Sequence, residues 1–152
     1  MSALKLVLWG FLAVLASVAL AFVTGLVNPQ EKVNGLWLVV AAACIYMLAY
    51  RFYGCWLAKQ VVELNNQRVT PAVRLNDGVN FHPTNKYVLF GHHFAAIAGA
   101  GPLLGPVLAA QFGFLPGFLW LVIGAVLAGA VQDFVILVAS MRRNGRSLPE
   151  IA

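Results

Sequence analysis

Charge is scarce in this sequence. Only 10% of its 152 residues are charged, and just five of those are carboxylates. An ordinary soluble domain carries about 25% charged and about 45–50% apolar residues, whereas here the apolar share is 61%. A globule of this size has too little interior to hide so much hydrocarbon, so a soluble single-domain protein is excluded. The chain is expected to be an integral membrane protein.

Cysteine is nearly absent as well. Cys44 and Cys55 fall in one apolar run, and eleven residues of helix separate them by about 16 Å, too far for a disulfide. With no CxxC and no Cys/His cluster, a structural zinc site is not expected, and both read as small apolar fillers. Nothing in the sequence implies a metal or other cofactor. The net charge of +5 does not imply nucleic acid either. The basic residues stand beside and between apolar runs, which is the positive-inside pattern of membrane proteins.

Four apolar runs are present. The first, Leu6 to Val27, holds 22 residues without a charge and spans about 30 Å of hydrocarbon. Ala19-Leu20-Ala21 resembles a signal-peptidase site, but the run continues past it and further runs follow, which favours an uncleaved first helix. The second run, Val33 to Tyr50, ends in YRFYGCW, where Tyr50, Tyr53 and Trp56 are expected to form an aromatic belt around Arg51. The third runs from Val88 to Phe112 and the fourth from Phe114 to Met141, stopping at RRNGR. Spans are thus expected at about 5–27, 33–56, 88–112 and 114–141, with a loop at about 57–87.

Lysine and arginine set the orientation. Lys59, Arg68, Arg74 and Lys86 lie between runs two and three, with Arg51 at the edge, against Lys32 alone between runs one and two. The long loop and the N-terminus are therefore expected in the cytoplasm. A complete crossing by run three also leaves Arg142, Arg143 and Arg146 there, whereas a re-entrant hairpin would turn them outward. Within the loop, LAKQVVELN reads as a short extension of the second helix, Asn76-Asp77-Gly78 marks a turn, and Pro71 and Pro83 exclude continuous helix. Loops this long are usually functional or disordered, and a passive connector is an equal alternative. SLPE, residues 147–150, has the form of a capping box and announces another helix, so the chain is expected to be part of a longer one.

The stretch FGHHFAAIAGAGPLLGPVLAAQF, residues 90–112, places Gly99, Gly101, Pro102, Gly105 and Pro106 within eight residues of a membrane run. Glycine and proline also serve close packing in membrane helices, but this density predicts a break: Val88–Ala98 as one half-helix, residues 99–106 unwound, and the remainder a second half-helix. Carbonyls ending the first half suit a cation or a protonated group, and free amides opening the second suit a carboxylate. Gly99, Gly101, Leu103, Leu104 and Gly105 are the candidate binding segment, as in the discontinuous helices of secondary transporters.

His92 and His93 stand near the entry of that segment. They point about 100° apart on a helix, so they cannot share one metal; they suit a proton relay or interfacial hydrogen bonding. Asp133 is the one carboxylate inside a run, about 8 Å past the middle of the fourth span. Ala125, Gly129 and Asp133 share a face at i, i+4 spacing, with Ala128 and Gln132 alongside, which would let another helix approach closely. Asp133 is a proton-coupling candidate, and an acid tying helices together is the structural alternative. An intramembrane enzyme using His92, His93 and Asp133 lacks a metal triad or nucleophile motif, so no enzyme is expected.

TPAVRLNDGVNFHPTNKYVLFGHHFAAIAGAGPLLGPVLAAQFGFLPG (70–117), LAGAVQDF (127–134), LWLVVAAACIYMLAYRFYG and RRNGRSL resemble the N-terminal part of the bacterial carbon starvation protein A (CstA) family. The resemblance covers nearly the whole chain. It implies an all-α membrane protein of about four transmembrane helices, the third discontinuous, forming part of a larger transporter bundle. It also implies an inner-membrane carrier taking up peptides or pyruvate when carbon is short, possessing a coupling proton in many such carriers, with the remaining helices of a longer chain and the lipid bilayer as partners. A small oligomeric four-helix membrane protein, or a non-transporting interaction subunit, is the alternative.

Overall fold

The structure is a computed structural model; residues 3–27 and 34–152 are described. The expected start of the second span at Val33, and Lys32 before it, lie outside the described residues. The described residues are helices joined by turns: α1 (Ala3–Val23), α2 (Gly35–Val61), α3 (Pro71–Arg74), α4 (Lys86–Ile97), α5 (Ala100–Ala110), α6 (Phe114–Arg142) and α7 (Leu148–Ile151). Helices α1, α2 and α6 are each long and apolar enough to cross a membrane, and the bent pair α4–α5 makes a fourth span if taken together. This is an all-α membrane protein.

The chain divides into two compact units. The first comprises the residues up to Glu63 together with Phe118–Val126. Its centre is an antiparallel hairpin of α1 and α2, whose direction is fixed by aromatic pairs at both ends. Phe22, near the end of α1, stacks on Trp37 near the start of α2, with centroids 4.7 Å apart. Trp9, near the start of α1, meets Phe52 edge-on at 5.9 Å. Between these pairs the helices bury Ala16, Ala19 and Val23 on one side, Ala41 and Cys44 on the other. Ala19 and Ala41 are 0% exposed, because small side chains let helices approach closely enough for dispersion to hold them without a hydrophobic drive in lipid. Ser17 and Thr24 donate their hydroxyls to the carbonyls of Ala13 and Leu20, at 2.9 and 2.8 Å, so neither leaves an unpaired polar atom in an apolar helix. The Tyr46 hydroxyl donates to the Leu121 carbonyl of α6 at 3.4 Å.

Arg51 takes two partners the sequence did not suggest. Its guanidinium lies over Trp9 at 5.9 Å and Phe52 at 5.8 Å, while Tyr53 and Trp56 stack on each other. The reason is twofold. Helix α2 closes two π-helical turns, Tyr50–Gly54 and Leu57–Val61, which rotate the aromatic positions away from a regular helical order. The hairpin also supplies Trp9, a residue no local pattern around Arg51 contains. Both cysteines are free thiols, Cys44 buried and Cys55 half-buried.

The second unit comprises Leu64–Gly117 and Leu127–Ala152. Its loop is ordered by short-range polar contacts. Pro71 opens α3, where a missing amide hydrogen costs nothing. Asp77 then gathers the following turn: its Oδ1 accepts from the amides of Val79, Asn80 and Phe81 at 2.9, 2.8 and 2.8 Å, and its Oδ2 from the Asn80 side chain. Gly78 sits at φ +74°, a conformation glycine adopts without penalty. Hydrogen bonds from the Phe81 and Val79 amides hold the Asp77 carboxyl down to about 2. The Asn85 side chain caps α4, accepting from the Tyr87 amide at 2.9 Å.

At the far end, Arg142 closes α6 and the chain reverses through Asn144 (φ +65°) and Gly145 (φ +78°), whose amide returns to the Ser140 carbonyl at 2.8 Å. The loop docks here. Arg74 donates to the Asn144 side-chain oxygen, Arg68 to the Arg142 carbonyl at 3.5 Å, and the Phe81 ring lies so close to Gly145 that a Cβ would meet it at 3.1 Å. Helix α7 follows, with Glu150 accepting from the Ser147 amide and hydroxyl, each at 2.7 Å, which closes the capping box. Those bonds, the hydroxyl first, hold the Glu150 carboxyl below its usual range.

Overpacking the hairpin is expected to cost about 1–3 kcal/mol: Ala41→Leu should lower the denaturation midpoint in detergent, while Val39→Leu, on an exposed position, should not. The depressed Asp77 value means its contribution is complete above the unfolded value of 3.8 and fades as pH falls towards 2. Hydrogen exchange should accordingly find the Val79–Phe81 amides protected at pH 5 and released on acidification through that window. Asp77→Ala should release them at pH 5 already.

Candidate functional site: the break between α4 and α5

Helices α4 and α5 meet at Ala98–Gly99 with a bend of 45°. The unwound link is therefore shorter than the sequence suggested: residues 100–106 are helical. Pro102 explains part of this. It stands in the first turn of α5, where amide groups have no partner inside the helix, so its missing hydrogen breaks nothing. Pro106 lies inside α5 and leaves the Pro102 carbonyl without an amide four residues on, a single lost bond that the flanking turns tolerate. Gly101 and Gly105 keep negative φ and behave as ordinary helical residues. What breaks the span is the pair Ala98 (φ −76°, ψ 34°) and Gly99 (φ −75°, ψ −164°), which leave the helical region together.

The polar consequences follow from that geometry. Ala98 still donates to the Phe94 carbonyl at 2.8 Å, closing α4. Among the described residues, the amides of Gly99, Ala100 and Gly101 have no acceptor, and no side chain caps α5. Three aligned donors and the positive end of the α5 dipole thus lie together at the bend. Of the candidate segment, Gly99 and Gly101 carry those donors; Leu103, Leu104 and Gly105 lie one turn further along α5, the two leucines 72% and 61% exposed. A side chain added at Gly101 or Gly105 would find open space. On the other side of the bend α4 ends, as any helix does, in carbonyls without an amide four residues on.

His92 and His93 are exposed on α4, about 10 Å of helical rise before the bend. Asp133 is half-buried on α6. Among the described residues no hydrogen bond or ion pair joins Asp133 to either histidine or to the bend, and no group of three His, Cys, Asp or Glu side chains is placed to hold a metal ion. The row of Ala125, Gly129 and Asp133 passes through a change of helix type. Ala125–Gly129 is a π-helical turn, whose i→i+5 bonding accommodates an extra residue and displaces the following face by about 100°.

Two features were not read from the sequence. The Asn85 cap starts α4 two residues ahead of Val88, and TNK, an asparagine just before an apolar run, was the local signal for it. The π turn before Asp133 has no signal in residue type, since Ala, Val, Leu, Ala and Gly fit either helix.

Comparison with known proteins bears on the same segments. The family model described as carbon starvation protein CstA matches residues 34–152. The chain is 58% identical over 147 residues to the peptide transporter CstA of Escherichia coli strain K12, covering 97% of this chain and 21% of that protein. It is 57% identical to the pyruvate/proton symporter BtsT of the same organism, covering 94% of this chain and 20% of the relative. With the peptide transporter CstA of Bacillus subtilis strain 168 the identity is 59% over 119 residues, 78% of this chain and 20% of the relative. The chain spans about a fifth of the length of the curated relatives it matches. No solved structure matches it. The matched region contains the loop, the bent pair α4–α5 and the helix bearing Asp133, and with it the chain belongs to the CstA carbon starvation protein family.

Proposed function

We propose that this chain contributes to a secondary carrier for small carboxylate-bearing nutrients, peptides or pyruvate, in a bacterial inner membrane. The observation that carries the reading is the 45° bend inside an apolar span, with the amides of Gly99, Ala100 and Gly101 lacking acceptors. An unpartnered amide in hydrocarbon costs several kcal/mol, so such donors persist only where another group meets them. A substrate carboxylate matches their number, direction and charge. Two relatives named for peptide and for pyruvate/proton transport support both substrate classes, which share that carboxylate. Asp133 or a histidine carries the coupled proton, since an ionisable side chain within a span is a functional candidate by default. The lysines and arginines between α2 and α4 support a cytoplasmic loop and N-terminus.

The test is made on the protein as its gene encodes it. Gly101→Leu adds a side chain where the structure has open space, so it should fold as the wild type does while obstructing the bend. Counterflow of labelled pyruvate and a labelled dipeptide in proteoliposomes should fall by at least tenfold for the transported one, an increase of about 1.4 kcal/mol in the barrier. Unchanged affinity and rate would remove the bend from the binding site. Asp133→Asn should abolish accumulation driven by a pH gradient while leaving counterflow near wild type; accumulation that survives would exclude Asp133 as the proton carrier.

A further inference from the structure

Arginines distant in sequence come together where the loop meets the end of α6. Arg68 and Arg74 arrive from the loop, and Arg142 and Arg143 end the helix, with Arg146 one turn beyond. All five are exposed. The two loop residues are held by neutral oxygens, a backbone carbonyl and an asparagine side chain, and among the described residues neither meets a carboxylate. Each guanidinium has five N–H donors, so most of the donors on Arg68 and Arg74 stay available. Two acids of the same unit are committed elsewhere. Asp77 turns its oxygens into its own turn, and Glu150, beside Arg146, is committed to Ser147.

Position decides what such a cluster meets. Arg142 is the last residue of an apolar 29-residue span, so the cluster lies at the membrane surface rather than away from it. Lys86 begins the next span from the same loop, its ammonium 5.1 Å from the Tyr87 ring centre, an arrangement typical of a headgroup boundary. Guanidinium forks match phosphate oxygens in shape as well as charge. We propose that Arg68, Arg74, Arg143 and Arg146, gathered at the end of α6, form a binding site for the phosphate headgroup of an anionic phospholipid. The docked loop assembles it: Phe81 on Gly145 and Arg74 on Asn144 hold the loop arginines against the helix end. This site stands apart from the substrate reading and survives its failure.

The experiment uses the protein as its gene encodes it, in phosphatidylcholine nanodiscs, titrated with phosphatidylglycerol and followed by native mass spectrometry. Wild type should retain phosphatidylglycerol in preference to phosphatidylcholine. Arg68→Gln/Arg74→Gln should weaken that retention by about fivefold per arginine removed, and Lys5→Gln/Lys59→Gln, which removes equal charge elsewhere, should not. If the first pair fails to fold, Arg143→Gln/Arg146→Gln, which leaves the loop contacts in place, is read in the same assay with the same loss expected. Equal losses in the arginine and lysine pairs, or no lipid preference in the wild type, overturn the proposal. Inorganic phosphate displacing phosphatidylglycerol at equal concentration also overturns it, since the site would then be one for a free anion.

Discussion

Every main-chain donor and acceptor inside a bilayer must find a partner, and that constraint organises this protein. Where α1, α2 and α6 run without interruption, the helix itself meets the requirement, and even Ser17 and Thr24 return their hydroxyls to the helix backbone. Where α4 gives way to α5 it is not met: among the described residues, three amides at the bend have no acceptor. Such a gap requires a polar companion, and the chemistry proposed for the bend follows from what that companion must be.

The two compact units meet the constraint differently. In the first, small residues on α1 and α2 mate closely, and aromatic pairs, one stacked and one edge-on, fix the pairing at both ends. In the second, α4 and α5 are exposed along most of their length, and the order of the unit comes from polar turns instead. Asp77 gathers a loop, Asn85 caps a helix, and Arg74 and Phe81 seat the loop on the Asn144–Gly145 turn. A loop that reads as a connector is thus a folded part of the unit, and its arginines acquire neighbours some seventy residues away.

Much of this was legible in the residues. Apolar runs free of charge set the helices, since little else can be done with such sequences in lipid. The glycines and prolines at 99–106 marked the discontinuity, and Ser147 with Glu150 marked the capping box. The extent of the break was not legible. Composition counts breakers, but proline in a first turn and glycine at negative φ do no breaking, and their positions relative to a helix start are known only once that start is placed. The π turn at Ala125–Gly129 was equally illegible, since it shifts the helical phase without changing the kind of residue.

The sequence by itself determined that the chain belongs in a membrane, that its third apolar run is interrupted, and that an acid lies within its fourth run, because hydropathy, backbone chemistry and charge are properties of residues in order. Only the tertiary structure decided that Arg51 stacks on Trp9, that the interruption narrows to Ala98 and Gly99, and that Arg68 and Arg74 join the arginines ending α6. Those depend on which surfaces come within a few ångströms of each other. Contacts between residues far apart along the chain are governed by packing and turn geometry, and no local pattern encodes them.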